Sequence, residues 1–147
     1  MNLKNFSIDE FSEDPIKYAD EDLINNLDKL RDFIGKPIYP SPVKGALARF
    51  DGSKKSQHYA INRKSTAIDI FIDNNPFESF IKILQSKLFN RVGIYFDTYY
   101  NNKNHVMFHV DLKDQNLIWL RDNYKYSYSY EKNFYKELLE KFNNYTI

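Results

Sequence analysis

The sequence predicts one domain that mixes α-helices with β-strands, and three observations predict it. Apolar residues recur at helical spacing after Asp20, after Pro76 and again from Phe134 to Phe142. They alternate at strand spacing over residues 66–72, 92–96 and 105–112. A chain of 147 residues can bury roughly 70% of its unfolded surface, which is enough for one ordinary core without disulfide staples.

Taken in order, Ser7-Ile8-Asp9-Glu10 reads as a capping box opening a short turn, with Phe6 and Phe11 to pin it to the core. A helix follows from Asp20, carrying Leu23, Ile24, Leu27, Leu30, Phe33 and Ile34 at helical spacing, until Gly35 and Pro37 stop it. Ile38 to Pro42 is extended or turning, and Gly45 to Ser56 is a loop that delivers His58. In the strand over 66–72, Ile68, Ile70 and Ile72 share one face and Ala67, Asp69 and Phe71 the other, so Asp69 points away from the isoleucines. Pro76 suits a first-turn position, and Phe77, Phe80, Ile81, Leu84 and Leu88 make the second amphipathic helix.

A hairpin comes next. Val92, Ile94 and Phe96 alternate with Gly93, Tyr95 and Asp97, Asn101 to Asn104 turns the chain, and the return strand sets Val106, Phe108, Val110 and Leu112 on one face. His105, Met107, His109 and Asp111 lie together on the opposite face. An odd-numbered turn is expected, which puts Asp97 opposite Met107 and diagonal to His109. Tyr124 to Tyr130 alternates aromatic and polar residues, as an edge strand or a sugar-stacking surface would. The third helix holds Phe134, Leu138 and Phe142, with Glu137 and Lys141 spaced to pair along its surface.

Composition narrows the chemistry. There is no cysteine, so no disulfide and no thiolate site, and a transition metal would need nitrogen and oxygen ligands. A net charge of +1 argues against nucleic acid as a partner, and no apolar run approaches the ~20 residues of a membrane span. The N-terminal residues show no apolar run of signal-peptide length, so synthesis in the cytoplasm without a signal peptide is expected. Lys44, Arg49, Lys54, Lys55, Arg63 and Lys64 stand against the single acid Asp51 in residues 44–64. They form either a rim for a carboxylate-bearing substrate or a set of solvated loop cations.

Two of the three histidines, His58 and His109, together with Asp69, make a candidate zinc site. Neutral imidazole and carboxylate both ligate zinc, and a catalytic site needs three protein ligands with one position open. His105 and His109 are separated by about 13 Å along an extended strand, too far to share one ion. His109 and Asp111, about 6.6 Å apart on the same reckoning, can cooperate, with Asp111 orienting the imidazole or accepting a proton.

Ser56-Gln57-His58, Ala67-Ile68-Asp69-Ile70 and Phe108-His109-Val110-Asp111 follow one another in an order that resembles the D-alanyl-D-alanine carboxypeptidase-like zinc peptidases, whose catalytic domain is shared with Hedgehog signalling domains. The small phage-type members are the nearest in kind. Asn5 to Phe11, the helix ending at Gly35, Gly45 to Arg49, Gly93-Ile94-Tyr95 and Trp119-Leu120-Arg121 extend the resemblance over most of the chain. It implies an α+β fold with an antiparallel sheet and helices packed on one side. It also implies Zn2+ held by His58, Asp69 and His109, and a substrate carboxylate held by Arg49 and Ser56.

The chain departs from that pattern in two places. His58 and Asp69 are eleven residues apart rather than seven, and Val106 stands where an acidic residue precedes the last ligand by three. The general base would then come from Asp97, Asp111 or His105, with the two carboxylates favoured.

The expected activity is a zinc-dependent peptidase, carboxypeptidase or endopeptidase, acting on peptide stems of bacterial peptidoglycan. The protein would be a phage- or prophage-encoded monomer that reaches the cell wall after lysis or as part of a virion. The alternative is a non-catalytic phage structural or wall-binding module that keeps the fold.

Overall fold

The computed structural model describes residues 3–145. A 3-10 turn at Ile8–Glu10 is closed by Glu10, whose Oε2 accepts from the Ser7 N–H at 2.7 Å. Phe6 and Phe11 are buried against each other with ring centroids 5.8 Å apart, as the turn needed. A short helix α1 (Pro15–Tyr18) leads into α2 (Glu21–Ile34).

The Asp20 side chain accepts from the Asp22 N–H, and Gly35 ends α2 at φ 69°, a left-handed conformation that glycine adopts without a Cβ clash. Leu23, Ile24, Leu27, Leu30 and Ile34 are buried, whereas Phe33 turns outward and is half exposed.

The strands are β1 (Ile38–Pro40), β2 (Ala67–Ile72), β3 (Arg91–Tyr95), a two-rung hairpin of β4 (Tyr99–Tyr100) with β5 (Lys103–Asn104), then β6 (Met107–Asp111), β7 (Leu117–Asp122) and β8 (Lys125–Tyr128). Helix α3 (Pro76–Ser86), capped by Asn75, joins β2 to β3, and α4 (Phe134–Asn144) follows β8. Six of the strands form one sheet in the order β1-β2-β6-β3-β7-β8. The class is α+β.

The sheet is not wholly antiparallel as expected: β3 and β7 run parallel, and the other pairs antiparallel. The reason is topological. Both edges of β6 are already taken, by β2 and β3, so the chain leaving β6 passes β3 and adds β7 to its far edge, running in the same direction as β3.

The isoleucine face of β2 joins Val92, Ile94, Phe108, Val110 and Leu120 in one core with the buried residues of α2, α3 and α4. Phe142 of α4 meets Phe77 and Phe80 of α3 and Phe96 after β3, with centroids 5.3–5.7 Å apart. Lys141 does not pair with Glu137 along the helix; it reaches Asp122 of β7 at 2.7 Å, a partner brought close only by packing.

The register of the hairpin also differs from expectation. Tyr95, not Asp97, lies opposite Met107, and Gly93 faces His109. The expected parity holds, but the β4/β5 hairpin shifts the pairing by two residues. One row across the sheet thus reads Asp69, His109, Gly93, Trp119, Tyr128. The Tyr-rich segment is the edge strand β8.

Candidate metal centre

Cross-strand pairing brings Asp69 of β2 beside His109 of β6 on the sheet face opposite the isoleucines. His58 arrives from the loop, and backbone hydrogen bonds hold it there. Arg49 N–H donates to His58 O at 2.7 Å, Ala60 N–H to Arg49 O at 2.8 Å, and Thr66 N–H to Gln57 O at 2.9 Å. The loop itself is tied to Glu13, whose carboxylate accepts the N–H groups of Gly45, Leu47 and Ala48 at 2.8–3.2 Å. Those bonds outweigh the opposing effect of burial and hold the Glu13 carboxyl below its usual range.

His58 Nε2, His109 Nδ1 and Asp69 Oδ1 form a nearly equilateral triangle with edges of 3.2, 3.1 and 3.3 Å. Zinc bonds of about 2.0–2.1 Å in a tetrahedron require ligand atoms about 3.3–3.4 Å apart, so the triangle is the right size for one face of that tetrahedron. The outward nitrogens are both occupied. His58 Nδ1 is 3.3 Å from the Leu47 carbonyl, and His109 Nε2 is 2.7 Å from Asp111 Oδ2. Each outward nitrogen has an acceptor to which it can donate, which turns the lone pair of its inward partner toward the common point.

The charges are mutually supporting. Burial opposes ionisation of Asp69, but His58 and His109 outweigh it and hold the carboxyl far below its ordinary value. Burial likewise disfavours a charged His109, yet hydrogen bonds to Asp111 and Asp69 raise it. Asp111, wholly buried, is lowered despite burial by His109 and by Arg91, which grips it with Nε at 2.9 Å and Nη2 at 2.7 Å. Among the described residues, His58, Asp69 and His109 are the group that could hold a metal ion.

The triangle opens into a cleft of about 420 Å3 lined also by Arg49, Ser56, Tyr95, Trp119, Arg121 and Tyr126. Both residues expected to hold a substrate carboxylate are therefore beside the cluster. Arg49 is 45% exposed along its side chain, with one Nη 3.9 Å from Asp69 Oδ2 and Nε donating to the Gly45 carbonyl. Ser56 Oγ accepts from the His58 N–H at 3.3 Å. Of the other basic residues in 44–64, Lys44, Lys54, Lys55 and Lys64 are exposed and do not line the cleft.

The two candidate bases are placed otherwise than a base requires. Asp97 does not line the cleft; its carboxylate pairs with Arg121 at 2.9 Å and accepts the Tyr124 N–H at 2.8 Å. The two-residue shift of the hairpin is what carries it away. Asp111 is enclosed by His109, Arg91 and the Lys113 N–H, which fits orientation of an imidazole and leaves no oxygen facing the cleft. His105 stands apart against Phe71 and Tyr100, with Nδ1 3.0 Å from the Val106 carbonyl, and Val106 itself is core.

Sequence reasoning assigned no role to Arg91, Gly93, Tyr95 or Trp119. The Trp119 indole lies on the bare Cα of Gly93, where a Cβ would come within 2.6 Å of it, and its ring is 5.0 Å from that of His109. A glycine midway along a buried strand is the one local sign of such an approach.

No protein-family model, no curated protein and no solved structure matches this chain. Among the described residues, no helix is long and apolar enough to cross a membrane.

Proposed function

We propose that this chain is a zinc-dependent peptidase of the D-alanyl-D-alanine carboxypeptidase-like kind, with the Hedgehog/DD-peptidase fold, cutting peptide bonds in bacterial peptidoglycan as a carboxypeptidase or endopeptidase. The observation that carries this reading is the triangle of His58 Nε2, His109 Nδ1 and Asp69 Oδ1, all edges within 3.1–3.3 Å, with both imidazoles held from behind. Zinc bound there would supply a Lewis acid for the scissile carbonyl and bring the pKa of its water toward about 7.

The protein's own groups have distinct tasks. Asp111, clamped by Arg91, keeps the His109 ring in place, and the Leu47 carbonyl does the same for His58. Arg49 and Ser56 sit at the cleft where a stem-peptide carboxylate would dock. Action at the wall after lysis, or from a phage particle, belongs to the same reading.

One observation favours a second reading, a non-catalytic phage structural or wall-binding module. Asp97 and Asp111 are both committed to ion pairs, and Val106 occupies the position of the family's acid, so no carboxylate other than Asp69 lines the cleft among the described residues. Purified untagged protein separates the two when its metal content is measured and it is incubated with peptidoglycan. One equivalent of zinc with release of new amino termini or free D-alanine, both lost in His58→Ala, is the expected result. Co-sedimentation with peptidoglycan without cleavage selects the module. Zinc content and cleavage unchanged in His58→Ala would overturn the metal site itself.

A further inference from the structure

Tyr95 is buried at 8% exposure, yet it is one of the residues lining the cleft that contains the His58–Asp69–His109 triangle. Its oxygen accepts the Trp119 Nε1–H at 3.0 Å. Its own proton has no protein acceptor among the described residues. A buried hydroxyl with one hydrogen bond unmade loses stabilisation that a ligand oxygen can restore.

The ring is held on several sides. The Arg121 guanidinium lies 4.5 Å from its centroid, fixed in turn by Asp97, and Tyr126 meets it edge-on at 6.3 Å. Trp119 can reach Tyr95 Oη only because residue 93 lacks a Cβ. Gly93, Trp119, Arg121 and Asp97 together therefore hold the ring of Tyr95 and its hydroxyl oxygen in place.

We infer that Tyr95 is a ligand-contacting residue whose hydroxyl donates to an oxygen of the molecule bound against the metal triangle, in the peptidase reading the carbonyl oxygen of the scissile amide. This rests on the metal reading above and deepens it. The proton stays on Tyr95 Oη throughout, and no bond to the tyrosine forms or breaks. A donor fixed before the carbonyl oxygen gains charge lowers the barrier without reorganising during the reaction.

The test uses the full chain loaded with Co2+, whose visible spectrum reports its ligands, and acetohydroxamate as the oxygen-donor probe. Tyr95→Phe should bind Co2+ as the native protein does, while its affinity for acetohydroxamate falls about tenfold, the effect of one lost hydrogen bond. On stem peptides, kcat should fall about 10²–10³-fold with KM nearly unchanged. In the native protein, the Cζ resonance of 13C-labelled Tyr95 should shift on adding the probe, a measurement independent of how well the variant folds. Unchanged probe affinity in Tyr95→Phe, or an unshifted Cζ resonance, overturns this inference alone. A native protein that takes up no Co2+ overturns the metal reading and this inference with it.

Discussion

Asp111 illustrates how much one side chain can carry without touching a ligand. It is wholly buried, it accepts from His109 Nε2 at 2.7 Å, and it is gripped from the other side by Arg91. Asp111→Asn keeps the shape and removes the charge, so His109 loses the partner that would make it a better metal ligand and Arg91 is left without its counter-ion. Zinc affinity should fall about 10–100-fold, measured by competition with a chelator. If affinity is unchanged, the His109–Asp111 bond has no part in metal binding. The alternation of residues 105–112 already set Asp111 on the face of His109, but Arg91, twenty positions earlier, became its partner only through the β3–β6 register.

At the scale of elements, the loop between β1 and β2 is the least regular part that the site depends on, and Glu13 is its anchor. The carboxylate replaces a missing strand partner by accepting three N–H groups from residues 45–48. The same stretch supplies the Leu47 carbonyl behind His58 and leads into Arg49. Because its folded pKa lies below the ordinary 4.5, Glu13 contributes stability that is fully present above that value and lost as pH falls through the depressed one.

Glu13→Gln should therefore melt at a lower temperature than the native chain at pH 7, with the gap closing as pH falls below 4.5 and through the depressed value. A gap independent of pH would mean that the charge on Glu13 is not what holds the loop. Nothing local in Ser12-Glu13-Asp14 marks this role, since its partners lie more than thirty residues away.

For the whole molecule, β2, β6 and the loop meet at the His58–Asp69–His109 triangle, so metal binding there would be coupled to folding. The triangle does not exist in an unfolded chain whose His58 and His109 are fifty-one residues apart, so a metal bound there would bind only the folded chain. Zinc in hundredfold excess over its Kd should add about 2.7 kcal/mol, raising Tm by about 5–10 °C. A chelator should reverse the shift, and His58→Ala or Asp69→Ala should abolish it. A native Tm indifferent to zinc would remove the coupling.

By itself the sequence determined helices α2, α3 and α4, and strands β2, β3 and β6 with the faces of their side chains, because periods of 3.6 and 2 are local properties of the backbone. Asp20 and Gly35 bounding α2, and Ile68 and Ile70 opposite Asp69, are of this kind. Helix α1, the β4/β5 hairpin and β7 carry no such signal and are not foreseen by it. The sequence also singled out Asp69 and His109, which stand on the polar side of apolar strands, and His58, which a loop delivers in Ser56-Gln57-His58. Only the tertiary structure decided that their ligand atoms lie 3.1–3.3 Å apart, that Asp97 turns to Arg121, and that β7 runs parallel to β3. Strand order, register and the acceptor behind each imidazole depend on contacts between distant segments, whose energies are set by packing and shared hydrogen bonds that no window of neighbouring residues contains.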